Sequence, residues 1–84
     1  PSLAVLPDVG GVTVYASWNG STETSSWQVF AGSDPTSLAM VASASKSGFE
    51  TVIPVASHGP CFQVKALNSG SMVIGVSDVI RLPN

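Results

Sequence analysis

The amino-acid sequence predicts an all-β domain, a seven-stranded antiparallel sandwich of two sheets. Three observations support this fold class. Val, Ser, Thr and Gly dominate the chain, no window sustains the apolar spacing of an amphipathic helix, and turn signals recur roughly every 8 to 15 residues. Since the chain has only 84 residues, it can form one small domain with a thin core, and a roomy active-site cleft is not expected.

Three strands are predicted in the first part of the chain, where apolar and polar side chains alternate. The clearest covers residues 12–18 and ends at Trp18. Another covers residues 27–31 and begins at Trp27, and an opening strand is expected over 2–6. Because each tryptophan continues an apolar face of its strand, both are expected in the core.

Four further strands complete the predicted sandwich. They are expected over residues 38–44, 49–55, 62–66 and 72–82. Pro54 confines its strand to a sheet edge or a strand end, because proline cannot donate to a ladder of backbone hydrogen bonds. Phe49 is expected to share the buried face of that strand. The last two strands should form a hairpin across the turn at 68–71.

The charge of the chain excludes some classes of partner. Its net charge is -2, with five acidic and three basic residues. The bases are Lys46, Lys65 and Arg81. They are too few to neutralise a phosphate backbone, so no nucleic acid is expected as a partner. The longest apolar runs, such as 52–56, are far shorter than the about 20 residues that span a bilayer, so no membrane partner is expected either.

The composition also suggests where the protein works. Fourteen Ser and five Thr give an uncharged polar surface, which suits a secreted, extracellular protein. The chain opens at Pro1 without an initiator methionine or a leader, which favours a piece of a longer protein. Residues 1–84 are expected to form a single domain of that protein. Its one cysteine, Cys61, cannot form an internal disulfide, so the core must hold without a covalent link.

No group of residues in the sequence indicates catalysis, a metal site or a cofactor. His58 and Cys61 stand three residues apart, but a zinc site needs three or four ligands and the chain has no other His or Cys. Alternation turns Cys61 away from Phe62 and towards the outside, where it would be a surface thiol or a contact with another domain. The acids are scattered over separate turns and strands, so no paired-carboxylate site is expected.

A candidate modification site follows the clearest strand. Asn19-Gly20-Ser21 is an N-glycosylation sequon, and it falls in a polar loop from which a glycan could project into solvent. The alternative interpretation is a plain turn, since Asn-Gly is favoured where φ must be positive.

Tyr15 and Phe30 are predicted to point outward from strands whose tryptophans point inward. Two outward aromatic rings on neighbouring strands can dock against a partner domain, stack on a sugar, or be scattered surface residues. Docking is the favoured interpretation, and a carbohydrate-binding module is the alternative. Together with Cys61, these two residues are the candidate contact residues of the chain.

The order of the strands resembles the fibronectin type III domain, an immunoglobulin-like sandwich. The matching patterns are Val12-x-Val14-x-x-x-Trp18 for its strand B, Trp27-x-Val29 for strand C and Phe62-x-Val64-x-Ala66 for strand F. In that family a tyrosine hydroxyl usually ties the corner at the position of Phe62. Because phenylalanine has no hydroxyl, packing must hold the corner here.

A narrower resemblance covers residues 12–80. The strings that carry it are Tyr15-Ala-Ser-Trp-Asn-Gly-Ser-Thr-Glu, Gly48-Phe-Glu-Thr and Gly59-Pro-Cys-Phe-Gln-Val-Lys-Ala-Leu. They look like the small C-terminal β-domain of secreted fungal arylsulfotransferase-like proteins, although an aromatic more often stands at the position of Cys61. In such proteins a large β-propeller is the catalytic or binding part. The resemblance therefore implies a non-catalytic accessory, spacer or docking domain whose partner is the propeller or another domain of the parent protein.

Overall fold

The computed structural model describes residues 1–83, and this part of the chain consists of strands and loops. Residues 1–83 form eight strands: β1 Ser2–Asp8, β2 Gly11–Ser17, β3 Ser26–Gly32, β4 Ala39–Ser45, β5 Glu50–Val55, β6 Cys61–Leu67, β7 Val73–Val76 and β8 Ile80–Arg81. The all-β prediction is confirmed. Of the predicted domain 1–84, the last residue, Asn84, lies outside the described residues. No helix within 1–83 is long and apolar enough to cross a membrane.

The strands form two antiparallel sheets that pack against each other as a sandwich. The small sheet has the order β1-β2-β5, and the large sheet has the order β4-β3-β6-β7, with β8 also paired to β6. β2 and β3 are consecutive in the chain but lie in different sheets, because the loop at 18–25 crosses from one sheet to the other. The predicted two-sheet sandwich is confirmed, with eight strands where seven were expected.

The eighth strand arises because the predicted strand 72–82 leaves its neighbour at Ser77. The backbone N–H of Ser77 donates to the Val64 carbonyl at 2.9 Å, and the N–H of Val64 donates to the Ser77 hydroxyl oxygen at 3.0 Å. The Ser77 hydroxyl in turn donates to the carbonyl of Asp78 at 2.9 Å. A side-chain oxygen thus replaces a backbone carbonyl at the point where β7 ends, and the chain rejoins β6 as β8. The predicted hairpin of β6 and β7 is confirmed.

Ser77→Ala is expected to lower the free energy of unfolding by about 1–3 kcal/mol, because the N–H of Val64 would remain buried without its acceptor. Urea denaturation measures the change. Ser43→Ala, at an exposed position of β4, is the control and should change the free energy by less than about 0.5 kcal/mol. Equal destabilisation by the two substitutions would contradict the role assigned to Ser77.

The core lies between the two sheets and is filled by alternate residues of their strands. Its largest fully buried side chains are Trp27, Phe62, Val12, Val14, Val29 and Val64. Phe62 packs so closely on Gly59 that a Cβ at Gly59 would overlap its ring. The corner before β6 is therefore closed by a ring packed on a glycine, as expected for a residue without a hydroxyl.

Two aromatic residues expected in the core lie elsewhere. Trp18 is only half-buried, because it stands one residue beyond β2 and packs over Gly75 at the margin of the core. Phe49 is 72% exposed, because β5 begins at Glu50 and the preceding turn holds Phe49 outside the sheet. The other predicted inward residues of this strand are buried: Thr51, Ile53 and Val55.

Each edge of the two sheets carries a feature that disfavours pairing with another chain. In the small sheet, the edge strands β1 and β5 contain Pro7 and Pro54, and neither residue can donate to a ladder. The edge position predicted for Pro54 is confirmed. In the large sheet, β4 carries Val41 as an extra residue that breaks its register with β3, and the opposite edge is divided between β7 and β8. Contacts with other molecules are therefore favoured at the faces.

Candidate functional site

The outer face of the small sheet is a largely apolar surface. Read across β1, β2 and β5, its two central rows are Ala4-Tyr15-Val52 and Leu6-Thr13-Pro54, and we call these six residues the small-sheet face. Leu6 and Val52 are 56% and 54% exposed. Next to them along their strands, Val5, Thr51 and Ile53 are buried on the core side. Adjacent exposed apolar side chains of this kind are typical of an interaction surface.

Two carboxylates flank the small-sheet face at diagonally opposite corners. Asp8 ends β1, where its oxygens accept hydrogen bonds from the Gly10 N–H at 3.0 Å and the Thr13 hydroxyl at 3.2 Å. Glu50 begins β5 at the other corner. The three basic residues lie outside the small sheet: Lys46, Lys65 and Arg81. A surface that is apolar at its centre and basic at its rim would complement this face.

The outer face of the large sheet has a different character. Its aromatic residue, Phe30, lies beneath Lys65, whose ammonium nitrogen is 4.3 Å from the ring centroid in a cation–π contact. Beside it, the side-chain amide of Gln63 donates to the Ser77 carbonyl at 3.1 Å. The ring of Phe30 is thus partly covered by Lys65 and lies between Gln63 on β6 and the exposed Met40 on β4.

Tyr15 and Phe30 do not share a surface. Both are half-buried residues on the outer faces of their strands, as the alternation predicts. However, Tyr15 lies on the small sheet and Phe30 on the large one, so the two rings are on opposite sides of the sandwich. The expectation of neighbouring strands is wrong, because the loop between β2 and β3 crosses between the sheets. A sugar-stacking platform built from both rings is therefore excluded.

Cys61 is fully buried, which corrects the prediction of a surface thiol or contact residue. It does alternate with Phe62, but its neighbours across the ladder are Gly32 on β3 and Arg81 on β8. The Arg81 guanidinium donates to the Cys61 sulfur at 3.9 Å. The prediction failed because it did not include β8, which flanks this end of β6. In the folded chain Cys61 is available neither for dimerisation nor for docking.

The remaining polar residues that were considered for chemistry are dispersed. His58 is exposed in the loop before β6, whereas Cys61 is buried. Within residues 1–83, no three His, Cys, Asp or Glu side chains come together in a group that could hold a metal ion. The Asp34 carboxylate accepts hydrogen bonds from the Thr36 hydroxyl at 2.6 Å and the Thr36 N–H at 2.8 Å. Both bonds lower the pKa of Asp34, and the bond from the hydroxyl has the larger effect. Asp34 therefore serves to form the turn before β4.

A recess of about 400 Å³ opens where β2 ends, and we call it the Trp18 recess. Trp18, the loop at 19–23 and Ile74 line it. The loop starts with a turn in which the Ser21 N–H donates to the Trp18 carbonyl at 3.2 Å. Gly20 takes a φ of +85° in this turn, as the Asn-Gly pair indicates. Asn19 is exposed beside the recess.

Alternation alone identifies Tyr15 but none of its neighbours on the small-sheet face. The signal for those neighbours was present, because β1 and β5 are apolar at outward as well as inward positions. Leu6 and Val52 are outward examples. A strand that is apolar on both faces is typical of burial on both sides. The apolar outward positions of β1 and β5 are therefore a sequence signal for the small-sheet face that does not depend on its aromatic residue.

No protein-family model, curated protein or solved structure matches the chain. The small-sheet face and the Trp18 recess are therefore identified from geometry and chemistry alone.

Proposed function

We propose that the chain is a non-catalytic accessory domain of a secreted protein, and that it docks through the small-sheet face against another domain of the same polypeptide. The observation that carries this proposal is the small-sheet face itself, an exposed apolar surface three strands wide with Tyr15 at its centre. The blocked sheet edges direct contacts to such a face.

The size of the small-sheet face favours a tethered partner over a second copy of the chain. Three strands about 4.8 Å apart, each about seven residues long at about 3.3 Å per residue, give the whole outer side of the small sheet roughly 300 Å², and the small-sheet face is part of it. Complexes of separate proteins bury about 800 Å² on each partner. A linker raises the effective concentration of the two domains to about the millimolar range, so a smaller contact suffices within one polypeptide.

The strand order supports a fibronectin type III-like domain as the finer description. A three-stranded sheet of β1, β2 and β5 faces a sheet in which β3 and β6 are central neighbours. The resemblance to the small β-domain of secreted fungal arylsulfotransferase-like proteins fits this role. Under that proposal the docking partner is a β-propeller, and the chemistry and the substrate belong to the propeller.

A carbohydrate-binding module is the weaker alternative, since the two candidate rings lie on opposite sides of the sandwich. Sugar sites combine an aromatic ring with several polar groups that fix the orientation of the ligand. Among the six residues of the small-sheet face, only Tyr15 and Thr13 carry polar side-chain atoms. Their arrangement favours protein docking.

Tyr15 is the only tyrosine of the chain, so its chemical modification reports directly on the small-sheet face. We expect tetranitromethane to nitrate Tyr15 in the isolated chain. In the native polypeptide that contains this domain, nitration of Tyr15 should be slower by roughly tenfold or more. This is the factor given by about 1.4 kcal/mol of docking free energy. Mass spectrometry of the Tyr15 peptide measures both rates.

Val52→Asp is the companion variant, because it places a charge within the docking contact, directly beside Tyr15. In the full polypeptide it should restore nitration of Tyr15 to the rate of the isolated chain. Gln28→Asp, on the outer face of the large sheet, is the matched control and should leave Tyr15 protected. Equal nitration rates in the isolated chain and the native polypeptide would overturn the proposal, as would a coding sequence that encodes no further domain.

A further inference from the structure

We propose that Asn19 carries an N-linked glycan whose first sugar packs on Trp18 inside the Trp18 recess and stabilises the domain. Like the proposed function, this inference requires that the protein is secreted. It uses a different surface, however, and does not depend on docking through the small-sheet face.

The first argument is the position of the asparagine. Asn19 is exposed, and the turn that holds it is closed by the hydrogen bond from the Ser21 N–H to the Trp18 carbonyl. Asn19 and Trp18 both line the same recess. A sugar joined to the Asn19 side chain therefore starts at the rim of the recess and needs no rearrangement of the sandwich to reach the indole.

The second argument is the chemistry of the recess. One edge of the Trp18 ring packs so closely over Gly75 that a Cβ there would overlap it, and this contact holds the ring in place. The recess also contains Ile74 as an apolar wall and the polar side chains of Thr22 and Glu23. A pyranose ring has an apolar face of C–H groups and a rim of hydroxyl and amide groups. The indole suits that face, and the loop supplies hydrogen-bond partners for that rim.

The third argument is size. The recess of about 400 Å³ is large enough to accept a single pyranose ring. Trp18 is also the large aromatic residue that the fold leaves half-exposed at this end, although its strand pattern predicts a core position. A sugar in the recess would cover the part of the ring that the chain itself does not cover.

The modification is an ordinary group transfer from a lipid-linked oligosaccharide diphosphate. Nδ2 of Asn19 forms a bond to the anomeric carbon of the first sugar. The bond from that carbon to the lipid diphosphate breaks, and the lipid diphosphate leaves with the electron pair. The amide nitrogen loses one proton, which passes to the solvent. An oligosaccharide transferase of the secretory pathway recognises the sequon formed by Asn19 and Ser21.

Expression of the chain in a eukaryotic secretory host and in bacteria tests the proposal. We expect the secreted protein to carry a glycan at Asn19 and to melt roughly 4–8 °C higher than the bacterial protein. An endoglycosidase that leaves a single N-acetylglucosamine should preserve this difference, because only the first sugar contacts Trp18. Secreted protein with an unmodified Asn19, or a difference that disappears when the glycan is trimmed to one sugar, would overturn the proposal.

Two variants separate the contact with Trp18 from a general effect of glycosylation. Trp18→Leu keeps an apolar side chain over Gly75 but removes the aromatic ring, so the glycan should no longer raise Tm. Ser21→Thr keeps the sequon and should retain the full increase. A full increase in glycosylated Trp18→Leu would overturn the proposal.

An NMR measurement on the unsubstituted protein provides a test that does not depend on the folding of any variant. Attachment of one sugar should shift the indole N–H signal of Trp18 and leave that of Trp27, which is 1% exposed, unchanged. An unshifted Trp18 signal would overturn the contact. None of these measurements involves the small-sheet face, so a failure of the docking proposal leaves them unaffected.

Discussion

Trp27→Ala is expected to lower the free energy of unfolding by about 3–5 kcal/mol, close to the whole stability of a small domain. Trp27 is 1% exposed in the middle of the core. Its neighbours on the adjacent strands are Ala44 and Ala66, which leave room for the indole but are too small to fill the space after its removal. Its Nε1 has no hydrogen-bond partner among the described residues, so the contribution of Trp27 is one of apolar packing.

Thermal unfolding followed by circular dichroism measures this loss. Trp18→Ala is the matched control, and it should cost less, roughly 1–2 kcal/mol, because the half-buried ring of Trp18 loses less apolar contact. Comparable losses in the two variants would contradict the assignment of Trp27 to the core and of Trp18 to its margin.

Gly11→Ala is expected to prevent folding or to cost at least about 4 kcal/mol, a loss confined to a few severe mechanisms. Gly11 has a φ of +151°, a conformation that residues with a Cβ rarely adopt. A Cβ at this position would overlap the backbone carbonyl of Val55, and the adjacent backbone of Ala56 is also close. The backbone cannot move aside without breaking the pairing of β2 with β5.

Gly10→Ala is the natural control for this substitution, because it changes the neighbouring glycine in the same turn. A Cβ at Gly10 would meet no atom within 4 Å. We expect Gly10→Ala to change the free energy of unfolding by less than about 1 kcal/mol. Soluble Gly11→Ala protein with the melting temperature of the unsubstituted chain would show that the tight contact with Val55 is not present.

The strands were largely predictable because alternation is a local property of the chain. Residues 12–18 and 27–31 each show it over several positions, and each overlaps a strand of the structure, β2 or β3. The choice of sheet for each strand is not local, since it depends on pairing between distant segments. Tyr15 and Phe30 were therefore predicted correctly as outward residues and incorrectly as neighbours.

The candidate site was less predictable than the fold for two physical reasons. Burial of Cys61 depends on β8, which has only two residues and is too short to show any periodicity. The half-exposure of Trp18 depends on where β2 ends, and one residue decides whether a side chain lies between the sheets or beside them. The sequon at Asn19 was visible in the sequence, but its position beside an aromatic recess requires the turn and Ile74 of β7.

The blocked sheet edges have a consequence for the behaviour of the domain in concentrated solution. A protein with an exposed apolar face is at risk of fibril growth when free strands can recruit further copies. Here Pro7 and Pro54 each remove a backbone N–H donor from an edge strand of the small sheet. The extra residue Val41 breaks the regular register at one edge of the large sheet. The domain can therefore expose the small-sheet face with less risk that free strand edges recruit further copies into fibrils.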